Sequence, residues 1–272
     1  MSKSLTATPA ETLLRRERLL LAFCLLLIGV LSWWYLLAGA GTGMSTLAMT
    51  TWEFPPPVYR SSAGSGWDAS YWLIMLLMWW VMMVAMMLPS VSPTVLLYAS
   101  LLRHGGNATD VPSITSAFLV GYLVTWAGFS AIATTAQWGL EKAGLVSASM
   151  MTLIETVPGA LVLILAGVFQ FTPLKAACLR HCRSPAEFIA RRRRKGHGGA
   201  FVMGLEHGVF CLGCCWFLMA LLFVGGIMNL YWIVGLTAFV ALEKLSPYGQ
   251  TISKIAGLGL IVWGGAILLG AT

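Results

Sequence analysis

Cys211, Cys214 and Cys215 fall within five consecutive positions, and His207 stands four residues before the first of them. On a helix, with about 100° per residue, the four side chains share an arc of roughly 100°. Spacings of three and four bring side chains together on one helix face. Thiolate and imidazole are ligands for zinc, copper and related metals. The plainer alternative is a packed helix with inert small thiols.

Two further groups have the same character. Cys178 and Cys182 lie four apart, with His181 between them and Lys175 and Arg180 close by. Cationic neighbours make the thiolate form more available. The pair suits a metal or a redox couple, although the spacing is not Cys-x-x-Cys; the alternative is a reduced pair at a helix end. Of the 14 methionines, six lie between Met75 and Met87. Met75, Met78, Met82 and Met86 fall on one stripe, which Met83 and Met87 extend. Thioether is a soft ligand that selects Cu(I) over harder ions, whereas the alternative role of Met is apolar filler. Cys24 is isolated and reads as a small apolar residue.

Ionisable groups inside apolar segments are functional candidates by default. Glu206 sits about 100° from His207 and is free to neutralise Lys175 or Arg180. Glu155 lies near the outer end of an apolar run, and Glu243 and Lys244 read as an interfacial pair. Trp67 and Asp68 suit either a weak entry site or a solvated helix start. His104 and His197 read as solvated.

These residues must be held by elements that suit lipid. Hydrophobic residues make up 58% of the 272 and charged residues 10%, against roughly 45–50% and about 25% in soluble domains. That excludes a soluble enzyme, and disorder as well. The long continuous apolar runs lack the alternation of a porin strand. The expected fold is therefore all-α, a polytopic transmembrane bundle of about seven spans. The spans read as 19–37, 71–102, 113–140, 152–177, 200–227, 230–242 and 252–269. A kink or break is expected at Pro89 and Pro93 in the second. A basic tail, 1–18, precedes a single bundle domain, 19–272, with an external loop over 39–70 and a cytoplasmic basic loop over 178–199. The first run reads as an uncleaved helix. With the N-terminus inside and the C-terminus outside, only Arg60 and Lys142 of the 17 basic residues lie outside, as the positive-inside rule requires. The net charge of +7 is thus mainly a topology signal. The run from Arg191 to Lys195 suits anionic lipid heads, and nucleic acid is not an expected partner.

The chain resembles a bacterial family of predicted metal-binding integral membrane proteins, catalogued as a domain of unknown function. The resemblance is carried by Met78-Trp79 through Met82, Met83, Ala85-Met86-Met87-Leu88-Pro89 and Pro93, then Gly121-Tyr122 and Trp126. It continues through Gln170, Pro173-Leu174-Lys175, Cys178-Leu179, Cys182-Arg183 and Pro185. It ends with His207-Gly208, Cys211-Leu212-Gly213-Cys214-Cys215-Trp216, Gly226, Met228-Asn229-Leu230 and Glu243-Lys244. It implies a polytopic protein of the bacterial inner membrane and a bound metal.

The resulting expectation is an integral membrane protein that handles a soft metal ion, copper first and zinc second. The ligand candidates are His207, Cys211, Cys214, Cys215, Cys178, Cys182, Met78, Met82, Met83, Met86 and Met87. The Met stripe of the second span is expected to face the Cys/His face of the fifth, and a metal-donor or acceptor protein is an expected partner. Membrane thiol–disulfide electron transfer and a non-catalytic assembly subunit are the alternatives. No Ser/His/Asp arrangement, paired carboxylates or phosphate-binding glycine loop is evident, which argues against a hydrolase.

Overall fold

The structure, a computed structural model, describes residues 9–43, 45–52, 66–104 and 110–270. Ten helices occupy the described residues: α1 Pro9–Leu37, α2 Ala69–His104, α3 Val111–Lys142, α4 Thr156–Phe169, α5 Pro173–Arg183, α6 Pro185–Arg192, α7 Gly196–Ala220, α8 Leu222–Gly225, α9 Leu230–Leu245 and α10 Gly249–Gly270. The first eight residues, the Pro55–Pro57 stretch and Arg60 lie outside the described residues.

Five stretches are long and apolar enough to cross a membrane: Leu19–Leu37 within α1, Ala69–Arg103 in α2, α3, Gly196–Gly225 over α7 and α8, and α10. The α4–α5 pair adds a sixth if its two arms form one span. At 16 residues, α9 is about 24 Å long, short of a hydrocarbon core of about 30 Å.

The first apolar stretch is Leu19–Leu37 as expected, carried on a longer helix that begins at Pro9. Three expectations change. No break interrupts the second at Pro89 or Pro93, and α2 is one helix of 36 residues. The expected fourth span is not one helix, because α4 and α5 meet at 65°. The cause is local: Pro173 has no N–H to continue the ladder and disfavours helical backbone before it. Thr172 is accordingly extended, and its hydroxyl caps the new helix at the Lys175 N–H. Finally, the expected basic loop over 178–199 is mostly helix, in α5, α6 and the start of α7.

The packing that matters most is α7 on α3. Glycine makes it close: a Cβ on Gly204 would run into the Phe118 carbonyl, and one on Gly121 into the Phe201 carbonyl. Small residues let helix backbones approach in this way. α5 lies against the same α7, while α10 packs on α4. The Met-bearing α2 packs chiefly on α3, α1 and α9. The main contacts of α2 are thus with these helices rather than with the α7 face expected from sequence. The outward faces of α1 and α10 expose Leu20, Phe23, Leu26, Ile255, Leu258 and Val262, a surface suited to lipid rather than water.

Candidate metal centre

The close α3–α7 contact sets Tyr122 against Cys211, with the phenol oxygen 3.1 Å from Sγ. On α7 the Cys214 and Cys215 thiols donate to the Cys211 carbonyl oxygen at 3.0 and 2.9 Å. This is the shared face expected from the spacing. A fourth thiol, Cys182, comes from α5 and neighbours Cys211 and Cys214. All four thiols are buried. Cys178 lies outside this ring, against Gly213, where a Cβ would come within 2.8 Å of its sulfur.

His207 is also buried, but it is not hydrogen-bonded to the thiols. Its ring lies among Phe118, Tyr122 and Phe188, with centroids at 6.0, 6.0 and 5.0 Å. Its Nδ1 has no hydrogen-bond partner. An orphaned polar atom in an apolar cage is costly, and a soft ion is one occupant that would satisfy it.

Sequence reasoning missed the cation of the cluster. Lys244 Nζ lies 2.9 Å from Cys211 Sγ, 3.5 Å from Ser90 Oγ and 4.0 Å from Met87 Sδ. The interfacial Glu243–Lys244 pair does not form, because neighbours on a helix point about 100° apart. Glu243 instead pairs with the buried Lys175, whose Nζ lies 2.7 Å from Oε1 and 2.9 Å from Oε2. Glu206 does not neutralise Lys175 or Arg180; it binds Arg194 at 2.6 Å and Arg192 at 3.5 Å. The usable signal was a lysine in an apolar helix, which demands a buried partner.

Met75, Met78, Met82, Met83, Met86 and Met87 are all buried. Met87 meets the cluster through Lys244. At the other end, Met75 Sδ accepts from Gln137 Nε2 at 3.8 Å. The same amide nitrogen donates to Glu141 at 2.9 Å, and Gln137 Oε1 accepts from Trp79 at 2.8 Å. Trp67 donates to Glu141 at 2.8 Å, while Asp68 caps α2 at the Tyr71 N–H. His197 is exposed and meets Ser113 at 2.8 Å, and the His104 side chain lies outside the described residues.

Among the described residues, no three His, Cys, Asp or Glu side chains stand in the arrangement of a preformed metal site. The Cys214 and Cys215 thiols are turned onto the Cys211 carbonyl oxygen instead. The donor chemistry nonetheless fits a soft ion: buried thiols, a thioether and an unsatisfied imidazole nitrogen, with the nearest carboxylate already paired to Lys175.

A family model described as PpoB2, copper chaperone, matches residues 76–267, and the chain belongs to that family. This description replaces the expected domain of unknown function and agrees with its metal-related character. No curated protein and no solved structure matches the chain.

Proposed function

We propose that this protein carries Cu(I) at a cluster of Cys182, Cys211, Cys214 and Cys215, with the α2 thioethers as weaker donors on the route to it. The observation that carries the reading is the meeting of four buried thiols from two helices with Met87 and the amine of Lys244. Thiolates and thioethers favour Cu(I) over hard ions. A chaperone must release what it holds, so donors of graded strength in series serve it better than one tight site. His207, a turn away with a free Nδ1, extends the series, and Cys178 adds a donor beside the ring.

The setting in this reading is the bacterial inner membrane, crossed several times with the N-terminus inside and the C-terminus outside. The α5–α6 side then faces the cytoplasm, and the Trp67–Glu141 end of α2 faces outward. The Met stripe would lead from that end toward the thiols. Zinc is the second ion, favoured less because the thioethers do not serve it.

Purified protein should retain near-stoichiometric copper by elemental analysis, and Cys211→Ser/Cys214→Ser should lose it. Thiol–disulfide electron transfer is the second reading, supported by the gathering of four buried, reduced cysteines in one cluster. Metal-free protein whose Cys182 cycles between thiol and disulfide would favour it over copper.

A further inference from the structure

Beside the thiol cluster, between the end of α5 and α6, lies a polar cavity of about 570 Å³. Its rim carries Arg180, Arg191 and Arg192 against a single carboxylate, Glu187, with His181 and Ser184 between them. Glu187 is held by Arg191 at 2.9 Å and Arg192 lies 3.5 Å from Glu206, which leaves Arg180 with no carboxylate partner among the described residues. Guanidinium groups in excess mark a place for carboxylate or phosphate, which they bind through paired N–H groups.

The floor of the cavity is Phe188, a buried ring that also touches His207. The wall is His181, stacked on Phe210 at 4.2 Å. His181 Nδ1 bonds the Ala177 carbonyl oxygen at 2.9 Å, which leaves Nε2 as its free ring nitrogen. From the cavity to Cys211 there is therefore an unbroken packing path: Phe188, His207, Tyr122 and the thiol. His181 stands in the cavity wall and His207 one step inward from Phe188. No such path is needed for an anion that merely neutralises arginines.

We infer that this cavity is an exchange port for a small thiol bearing carboxylates. The inference rests on the copper reading. A soft ion leaves one thiolate only for another soft donor, and the arginines supply affinity for the carboxylates of the incoming molecule. The volume suits a peptide of a few residues and not a folded protein. In the exchange, the metal–sulfur bond to a cysteine breaks as one to the incoming sulfur forms. The proton of the incoming thiol passes to the vacated cysteine sulfur, and no electron moves.

The test uses full-length protein in phosphatidylcholine nanodiscs, with reduced glutathione as the thiol and Ag(I) as a redox-inert stand-in for Cu(I). Glutathione and S-methylglutathione should bind the metal-free protein with similar affinity. Arg180→Gln/Arg191→Gln should weaken both by about tenfold or more, since each guanidinium contributes charge-assisted bonds. Only glutathione should speed removal of bound silver, and the double variant should slow that removal while holding silver as tightly as the parent. Absence of binding in neutral nanodiscs, unchanged affinity in the variant, or equal removal rates would overturn the proposal. So would an arginine effect seen only with phosphatidylglycerol present, which would assign the cavity to lipid. Failure of the parent protein to bind silver would instead overturn the copper reading, and the glutathione affinities would stand apart from it.

Discussion

At the scale of single residues, Lys244 is the most informative side chain. An ammonium is a monovalent cation, and here it is held by a thiol, a hydroxyl and a thioether. An incoming soft ion competes with it for Cys211. Lys244→Met removes the competitor and adds a thioether, so retention of Ag(I) against a competing chelator should rise several-fold, about 1 kcal/mol in binding. A fall in retention would show that the lysine assembles the site instead of occupying it. The residue scale also marks what was legible. Cys211, Cys214 and Cys215 share a face because one helix fixes their angles, and spacing alone gives that. Cys182 and Lys244 join them from α5 and α9, across gaps of tens of residues that carry no angular information. His207 obeyed its helical angle, yet a turn of rise separates it from the thiols and places it among aromatic rings.

At the scale of elements, the α3–α7 contact sets the position of Tyr122 against Cys211. It depends on backbones touching at Gly121 and Gly204. Gly204→Leu would drive a side chain into the Phe118 carbonyl and push the helices apart. The expected cost is about 1–3 kcal/mol, read as a lower unfolding midpoint in detergent, together with loss of retained copper. Gly235→Leu, at a position with open space around its Cα, should keep the metal and serves as the control. The apolar runs themselves announced the helices. The bend between α4 and α5 was written in Thr172-Pro173, but hydropathy passes smoothly across it and conceals the break. The basic stretch read as loop for the opposite reason: charge obscured the capping prolines, Pro173 and Pro185, that start two short helices.

At the scale of the whole molecule, the distribution of arginine and lysine predicts the orientation. A reporter active only in the cytoplasm should work when fused before Met1 and fail after Thr272, whereas an export-dependent reporter should do the reverse. Activity of the same reporter at both ends would mean an even number of crossings, with α9 or the bent α4–α5 pair not spanning. The family match begins at residue 76, so α1 lies wholly outside the shared region. It packs on α2 and keeps an exposed apolar face.

The bend at Pro173 has a consequence for denticity. Three of the four thiols are fixed to one rigid cylinder that is clamped to α3, and they cannot separate without unwinding it. The fourth sits on a separate short helix that turns away from α4 at a 65° corner. Under the copper reading proposed above, the number of sulfurs that grip an ion is therefore set by the seat of α5, four donors with it in place and three without it.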